Sequence, residues 1–422
     1  MATLSDPPKQ SFRLSMLIYD TRYRSMTIQV VALISFLLMF GWIFSNTAEN
    51  LAALGKEPSF KFLGETAGYD INQRLLDYDS QNTHFRAAII GLLNTLLVAF
   101  LGCVTATVLG VIIGVARLSK NWLIAKLTTI YVEIFRNVPV LLWIVFIMAI
   151  LIETLPAPRA FRGENPDATM SLFDTVAVTN RGVYIPEPLF NNSLGNLSLF
   201  GESSARFDVS LDLIAFLFVL GASLFVSTKI RKWADQKQEN TGIRPTIWHI
   251  RAAVVILPSA LLLAVLGFYL GYPELKGFNF KGGIHMRNSL IALWLALSLY
   301  TAAFIAEIVR AGILAISKGQ TEAAGALGMR PNRIMSLVIL PQALRVIIPP
   351  LISNYLNLTK NSSLAIAVGY MDLTGTLMGI TLNQTGRELE TVLLGMIIYL
   401  SISLSISLVM NWYNERVKLV ER

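Results

Sequence analysis

The chain has 422 residues, of which 54% are hydrophobic and only 15% charged, with a formal net charge of +8. An average soluble domain carries roughly 25% charge and about 45 to 50% apolar residues with glycine included, so the composition excludes that class, and it excludes an extended disordered chain as well. The single cysteine, Cys103, rules out an intrachain disulfide and a cysteine-based zinc cluster, and His84, His249 and His285 have no ligand spacing between them, so no metal site is expected.

A helix that crosses the hydrocarbon core needs about 20 mostly apolar residues. In chain order the charge-free runs are 25–48, 87–116, a shorter one between Arg136 and Glu153 with Pro139 near its beginning, 213–228, 252–273, 288–306, one that begins near Arg345 and is interrupted by Lys360 and Asp372, and 391–414. They predict an all-α polytopic membrane protein with eight transmembrane helices. The first run follows Arg22 and Arg24, as a secretory signal would, but it is longer than the roughly 7 to 15 residues of a signal core. It is expected to remain as a span.

Basic residues stay in the cytoplasm, which orients the chain. Placing the N-terminus inside gathers more than half of the 35 Lys and Arg residues in the tail with Lys9, Arg13, Arg22 and Arg24, the turn with Arg117, Lys120 and Lys126, the loops 229–251 and 318–345, and the C-terminus with Arg416, Lys418 and Arg422. The acidic stretches 49–79 and 153–208 then lie outside, and both termini are cytoplasmic. The positive balance is topology, with no nucleic acid as partner, because it is divided among loops between spans. The loop 153–208 is rich in Pro, Gly, Asn and Ser and predicts an irregular or small β-containing insertion. Asn191-Asn192-Ser193 and Asn196-Leu197-Ser198 fit the glycosylation tripeptide, a pattern common by chance.

One basic-side loop differs from the rest. Gln320 to Leu327 holds good helix formers, with Ala323, Ala324 and Ala326 small enough to let another surface approach. Gly328 can take the left-handed conformation that ends a helix, and Pro331 cannot continue one. This predicts a short helix with a small-residue face between two spans, suited to a groove on a soluble partner, with Glu322, Arg330 or Arg333 at its rim.

The segment 317–341 resembles the EAA loop of ABC importer permeases, whose pattern is Glu-Ala-Ala, three residues, Gly, nine residues, Ile, one residue, Leu-Pro. Glu322, Ala323, Ala324, Gly328, Leu340 and Pro341 fall in place, with Val338 at the Ile position. Further stretches, Gly91 to Leu96, Gly110 to Arg117, Tyr131 to Arg136, Glu307 to Gly312 and Lys360 to Leu364, look like the polar amino-acid branch, the histidine and glutamine type. Asn137-Val138, where that branch often has Gly-Thr, and Asn361, where it often has Asp, are departures. The large insertion and the extra first span are similar to the larger permease subunit of general L-amino-acid importers.

The resemblance implies five helices forming a type I importer core. Its parts are 1–86 (tail, extra span and periplasmic loop), 87–152 (first part of the core), 153–286 (insertion with a periplasmic loop and two extra spans), 287–411 (second part of the core) and 412–422 (cytoplasmic tail). It further implies two cytoplasmic ATP-binding subunits, a second permease subunit in a heterodimer, a periplasmic amino-acid-binding protein and surrounding lipid. ATP and Mg belong to the ATPase subunits, since this chain has no Gly-x-x-x-x-Gly-Lys-Ser/Thr phosphate loop. The chain itself is expected to be a non-catalytic subunit with no cofactor.

Ionisable groups in membrane segments are costly and point to function. Glu133 with Arg136, and Glu307 with Arg310, are three apart on one helical face and predict structural ion pairs. Thr359, Asn361, Ser362 and Asp372 surround an interruption bracketed by Gly369 and Gly375, and discontinuous helices expose backbone groups where transporters bind polar solutes. These four are candidates for the substrate path, with fixing of the helix break or contact with the partner permease as the competing role. The alternative to an ATP-driven permease is a secondary transporter using an ion gradient, a class that usually shows paired breaks in two repeats.

Overall fold

The computed structural model describes residues 15–53, 55, 58–163, 165–199 and 206–417. Lys9, Arg13, Lys418 and Arg422, used above for orientation, lie outside them. Residues up to Phe60 and those from Lys61 onward form two separate units.

The first unit is built on helix α1, Thr21–Ala53, which exposes apolar side chains around its circumference, as the consecutive Phe36, Leu37, Leu38 and Met39 show. A helix apolar on every side suits a hydrocarbon surrounding.

The second unit holds the core. Helix α2 (His84–Ala116) opens on Thr83, whose hydroxyl accepts from the Arg86 amide. Helix α3 (Trp122–Asn137) opens on Asn121 in the same way and stops because Val138, preceding Pro139, is forced to an extended conformation. Helix α4 (Val140–Thr154) follows at once, and the break brings the Phe135 ring onto Trp143, with centroids 4.2 Å apart.

The insertion then contributes five strands, β1 (Ala177–Thr179), β2 (Gly182–Ile185), β3 (Glu187–Phe190), β4 (Asn196–Leu199) and β5 (Phe207–Ser210). A helical pair comes next, α5 (Leu211–Thr241) and α6 (Trp248–Val265), in which Arg251 donates to the Ser227 hydroxyl at 3.0 Å. Four more strands complete the insertion, β6 (Phe268–Gly271), β7 (Glu274–Lys276), β8 (Asn279–Lys281) and β9 (Ile284–Arg287). All pairings are antiparallel: β1-β2-β9, β3-β6, β4-β5 and β7-β8.

Strand β9 runs without a loop into α7, Asn288–Leu314. This is the central helix, with Ala292, Leu293, Ala296, Leu297, Ala302 and Ile305 fully buried. Helix α2 packs along it by sorting residues by size. Its outward face shows Phe100, Val104, Val108 and Ile112, all exposed, while Gly102, Ala106, Gly110 and Gly114 line the inward face. A methyl added at Gly110 would lie 2.6 Å from the Ile305 Cβ, and one at Gly114 would lie 2.7 Å from the Ala306 carbonyl oxygen. Lipid tails are as apolar as leucine, so close backbone approach with dispersion contact is what holds such helices together. Two hydrogen bonds fix neighbours to the same helix, Trp294 Nε1 to Thr105 at 3.1 Å and Tyr131 to the Leu299 carbonyl at 2.6 Å.

The chain then forms α8 (Lys318–Ala326), a short helix Pro331–Ile334, a π-helical turn and α9 (Leu340–Asn361). The last span is α10, Glu388–Val417. Among the described residues eight helices are long and apolar enough to cross a membrane. Three boundaries differ from the sequence reading. The run 252–273 is helical only to Val265, because Phe268–Gly271 is drawn into a strand with β3. The short run between Arg136 and Glu153 is the second half of a longer helical path that already begins at Trp122. Lys360 does not interrupt its helix, which passes through it and tightens to a 3₁₀ turn only at Ser362.

Candidate functional site

Two places carry the sequence candidates, at opposite ends of α7. Its 27 residues span about 40 Å at 1.5 Å each.

At the end away from the strands, α8 stands out from the bundle. Ala324 is buried and holds the helix down, whereas Glu322, Ala323, Gly325 and Ala326 are exposed. Gly328 adopts φ +75°, the left-handed conformation that ends the helix. Leu327, just before it, is 82% exposed. A methyl added at Gly325 would meet nothing within 4 Å, so the fold itself has no need of a glycine there. Leu340 is exposed at the start of α9, and Pro341 sits in its first turn, directly after the π-helical turn Met335–Ile339. A missing amide is tolerated at a helix start.

Nearby, Glu307 of α7 is held by two arginines. Arg310 Nη2 lies 2.6 Å from its Oε1, and Arg117, at the end of α2, donates to its Oε2. The structure therefore brings Glu307 to Arg310 and adds Arg117. It does not bring Glu133 to Arg136. Arg136 lies over the Phe304 ring, 5.4 Å from the centroid, and Glu133 accepts from Asn137 at 3.4 Å. The spacing permits the second pair, but the aromatic ring offered by α7 takes the guanidinium instead.

The interruption after α9 is a 3₁₀ turn, Ser362–Val368, closed by Gly369 at φ +68°, then a π-helical segment Thr374–Thr381. Thr359 and Ser362 are buried and donate to the carbonyls of Tyr355 and Thr359 at 2.9 and 2.7 Å. Asn361 is half-buried. Asp372 is fully buried, with one carboxylate oxygen accepting from the Gly375 amide at 2.8 Å and the other from the Tyr399 hydroxyl at 3.0 Å. It caps the π-helical segment and pins it to α10. The four residues thus shape the break, and none of them lines the polar cavity beside it.

That cavity, of about 210 Å³, lies at the strand-bearing end and joins parts of the chain that no sequence window contains. Asn180 and Arg181 come from the β1–β2 turn, Arg287 and Asn288 from the start of α7, Gln73 from the segment before α2, and Tyr370 from the break. Gln73 ties them together. Its Oε1 accepts from the Arg287 amide at 3.0 Å, and its carbonyl accepts from Asn94 at 2.7 Å, which also donates to the Met371 carbonyl at 2.8 Å. Asn288 donates to the Asn180 carbonyl at 2.7 Å. Asn180 Oδ1, Asn288 Oδ1 and Arg287 Nε are buried with no hydrogen-bond partner. No Asp or Glu is among the lining residues. Beside the cavity, His285 stacks on Tyr184 at 4.1 Å, and burial first, then the Arg287 charge, holds its imidazole below the usual range. The one signal in the sequence was Arg287, a charge set directly before a charge-free run.

A bundle of apolar helices packed through small residues, with a polar break and a protruding helix between spans, fits a multi-pass α-helical membrane protein. Residues 245–419 match the profile of the family described as binding-protein-dependent transport system inner membrane component. The chain is 59% identical over 430 residues to the glutamate/glutamine/aspartate/asparagine transport system permease protein BztB of Rhodobacter capsulatus, covering 100% of both chains. It is 44% identical to the general L-amino acid transport system permease protein AapQ of Rhizobium johnstonii, over 98% of this chain and 96% of the other. A shorter relative, the glutamate/aspartate import permease protein GltK of Escherichia coli, is 36% identical over 42% of this chain and 79% of its own. The chain belongs to the family of binding-protein-dependent transport permeases, and it is a multi-pass inner-membrane subunit of an ABC importer.

Proposed function

We propose that this permease carries polar or general L-amino acids, and that α8 couples the movement of separate ATP-binding subunits to alternating access. The observation that carries the coupling role is Gly325. A glycine inside a helix costs roughly 1 kcal/mol against alanine, and nothing in the fold occupies the space where its side chain would be. A surface outside the chain gives that position a reason to stay small. Glu322, Ala323, Gly328 and the exposed Leu340 lie on or beside the same element. Ala324 and Pro341 anchor it to the chain.

The amino-acid class rests on the relatives, whose names specify glutamate, glutamine, aspartate, asparagine and general L-amino acids. In this reading two ATP-binding subunits, which hold ATP and Mg, sit at the α8 end, the strand-bearing end meets a periplasmic binding protein, and both termini are cytoplasmic. A second, different permease subunit completes the pore. The solute passes the break whose wall is shaped by Thr359, Asn361, Ser362 and Asp372.

The test is reconstitution of the co-purified complex in proteoliposomes with the binding protein. Amino-acid uptake is expected to require internal or external ATP according to orientation and to ignore sodium and proton gradients. Glu322→Lys and Gly328→Val are expected to abolish uptake while the chain still inserts and assembles its spans. Uptake by the isolated chain on an ion gradient, or full transport by both variants, would overturn the proposal.

A further inference from the structure

The helical pair α5–α6 packs on the rest of the chain through β5 and β6, at its strand-bearing end. At the opposite end, where α5 runs on to Thr241 and α6 begins at Trp248, only Ala234 and Ile247 are buried between Lys229 and Ile250. We propose that this end is a binding surface for anionic phospholipid headgroups of the inner leaflet. The proposal rests on the orientation given above, which places this end in the cytoplasm, and goes beyond it by naming a ligand and the residues that select it.

Charge is the first argument. The segment 229–251 holds Lys229, Arg231, Lys232, Lys237, Arg244 and Arg251 against Asp235 and Glu239, and clusters of this size beside a span attract anionic lipid. The arginines take the available carboxylate: Arg244 Nη2 lies 2.7 Å from Asp235 Oδ1, and Arg231 Nε 4.0 Å from Oδ2. Among the described residues no ion pair involves Lys229, Lys232 or Lys237. The cluster near the end of α7 behaves differently, since there Arg117 and Arg310 are both spent on Glu307.

Depth is the second. Leu213 opens the charge-free run of α5. At 1.5 Å per residue, Lys229 lies about 24 Å further along the helix and Lys237 about 36 Å, on either side of the roughly 30 Å thickness of a hydrocarbon core. Ser223, Ser227 and Ala234 are buried and mark the side turned to α6, whose Arg251 donates to Ser227. At about 100° per residue, Lys229 and Lys232 fall on the side away from them, and both are exposed.

The aromatic neighbours decide between a lipid and an acidic protein surface. Trp233, Ile243 and Trp248 are exposed among the basic residues, and tryptophan collects at headgroup level because its ring is apolar with a polar edge. An acidic protein face would match the charge and leave these three in water; a leaflet that is anionic at its surface and apolar just beneath takes both. Lys229 Nζ lies 5.3 Å from the Phe225 ring centroid and Lys237 Nζ 5.2 Å from that of Trp233. Each ring covers one side of an ammonium that has three donors, so N–H groups remain for phosphate oxygens. With strands holding the outer end and headgroups the inner one, the pair is fixed at both membrane surfaces.

The experiment titrates phosphatidylglycerol and phosphatidylcholine into the full chain in mild detergent and reads bound lipid by native mass spectrometry. Two variants each remove two charges from the same side: Lys229→Gln with Lys232→Gln, and Lys120→Gln with Lys126→Gln between α2 and α3. Wild type should favour phosphatidylglycerol, and added salt should weaken that preference. The first variant should lose about tenfold or more of it, and the second should keep most of it. No preference in wild type, or an equal loss in both variants, overturns the site. So does an unchanged preference in the first variant with release of the ATP-binding subunits from the complex, which would make the lysines a protein contact. Should the first variant fail to insert, wild type in nanodiscs decides: amide exchange over 229–251 should be slower in equal parts phosphatidylglycerol and phosphatidylcholine than in phosphatidylcholine alone, and no difference overturns the site. Orientation is read separately from Asn240→Cys in intact cells with an impermeant thiol reagent. Labelling from outside overturns the inner-leaflet placement together with the orientation reading, whereas the lipid preference in detergent is independent of both.

Discussion

The same substitution at two glycines should have opposite effects, and the contrast tests both the packing and the coupling arguments. At Gly110 the first added carbon would lie 2.6 Å from the Ile305 Cβ and 3.0 Å from the Ala302 carbonyl oxygen. Carbon pairs rest at about 3.5 to 4.0 Å, so α2 and α7 must part by about 1 Å, and no rotamer relieves a clash that begins at Cβ. Overpacking of this kind costs typically 1 to 3 kcal/mol, and Gly110→Leu, with three further carbons, belongs at the upper end. At Gly325 nothing lies within 4 Å, and leucine is nearly as good a helix former as alanine. Gly325→Leu should leave the chain as stable as wild type or stabilise α8 by up to about 1 kcal/mol. Uptake should reverse the order of harm per unit of stability lost: Gly325→Leu should stop ATP-driven transport with its melting midpoint intact. The assay pairs thermal unfolding of the detergent-solubilised chain, followed by size-exclusion chromatography, with uptake in proteoliposomes. Normal transport by Gly325→Leu, or equal melting losses in both variants, would refute the reasoning.

Three other outcomes are expected. Glu307→Gln leaves Arg117, whose side chain is only 10% exposed, without its counter-charge. Breaking such a pair from one side costs about 3 to 5 kcal/mol when fully buried and less here, whereas Arg117→Met with Glu307→Leu should recover part of the loss in a double-mutant unfolding cycle. Asp372→Ala should lower the unfolding midpoint by removing the acceptors for Gly375 and Tyr399, about 1 to 3 kcal/mol, and Tyr399→Phe added to it should cost little more; full additivity would show that the two do not interact. For His285 burial holds the imidazole below its usual range in the folded chain, so around and below about pH 6.5 the unfolded state binds more protons. Local stability of the β1-β2-β9 sheet, read by amide exchange, should fall as pH drops through that value towards 5, and His285→Phe should flatten the dependence.

The eight spans and α8 were readable because each is a local pattern: apolar length for the first, helix formers ended by Gly328 and Pro331 for the second. What Asp372 does was not readable, since its partner Tyr399 is 27 residues away on another helix. The competing role weighed for it, fixing the break, describes its hydrogen bonds. Glu133 and Arg136 show the limit of spacing rules, because the choice between a carboxylate and an aromatic ring was made by Phe304 on α7. The polar cavity was missed altogether. Gln73, Asn180, Arg287 and Tyr370 are brought together only by the fold, and polar residues in loops look like ordinary solvated surface until their buried oxygens are seen without partners.

The direct passage from β9 into α7 gives the outer sheet a role in steering. A strand held by pairing on one edge cannot rotate about its axis, and no flexible residue intervenes between Arg287 and Asn288. The strand register therefore sets the azimuth of the most buried helix in the protein. Each residue advances a helix by about 100°, so one residue inserted between β9 and α7 would swing Ala302 and Ala306 away from the glycine face of α2 or tear the sheet. The insertion thus works as an indexing key, and motion of the sheet would reach the centre of the bundle as rotation.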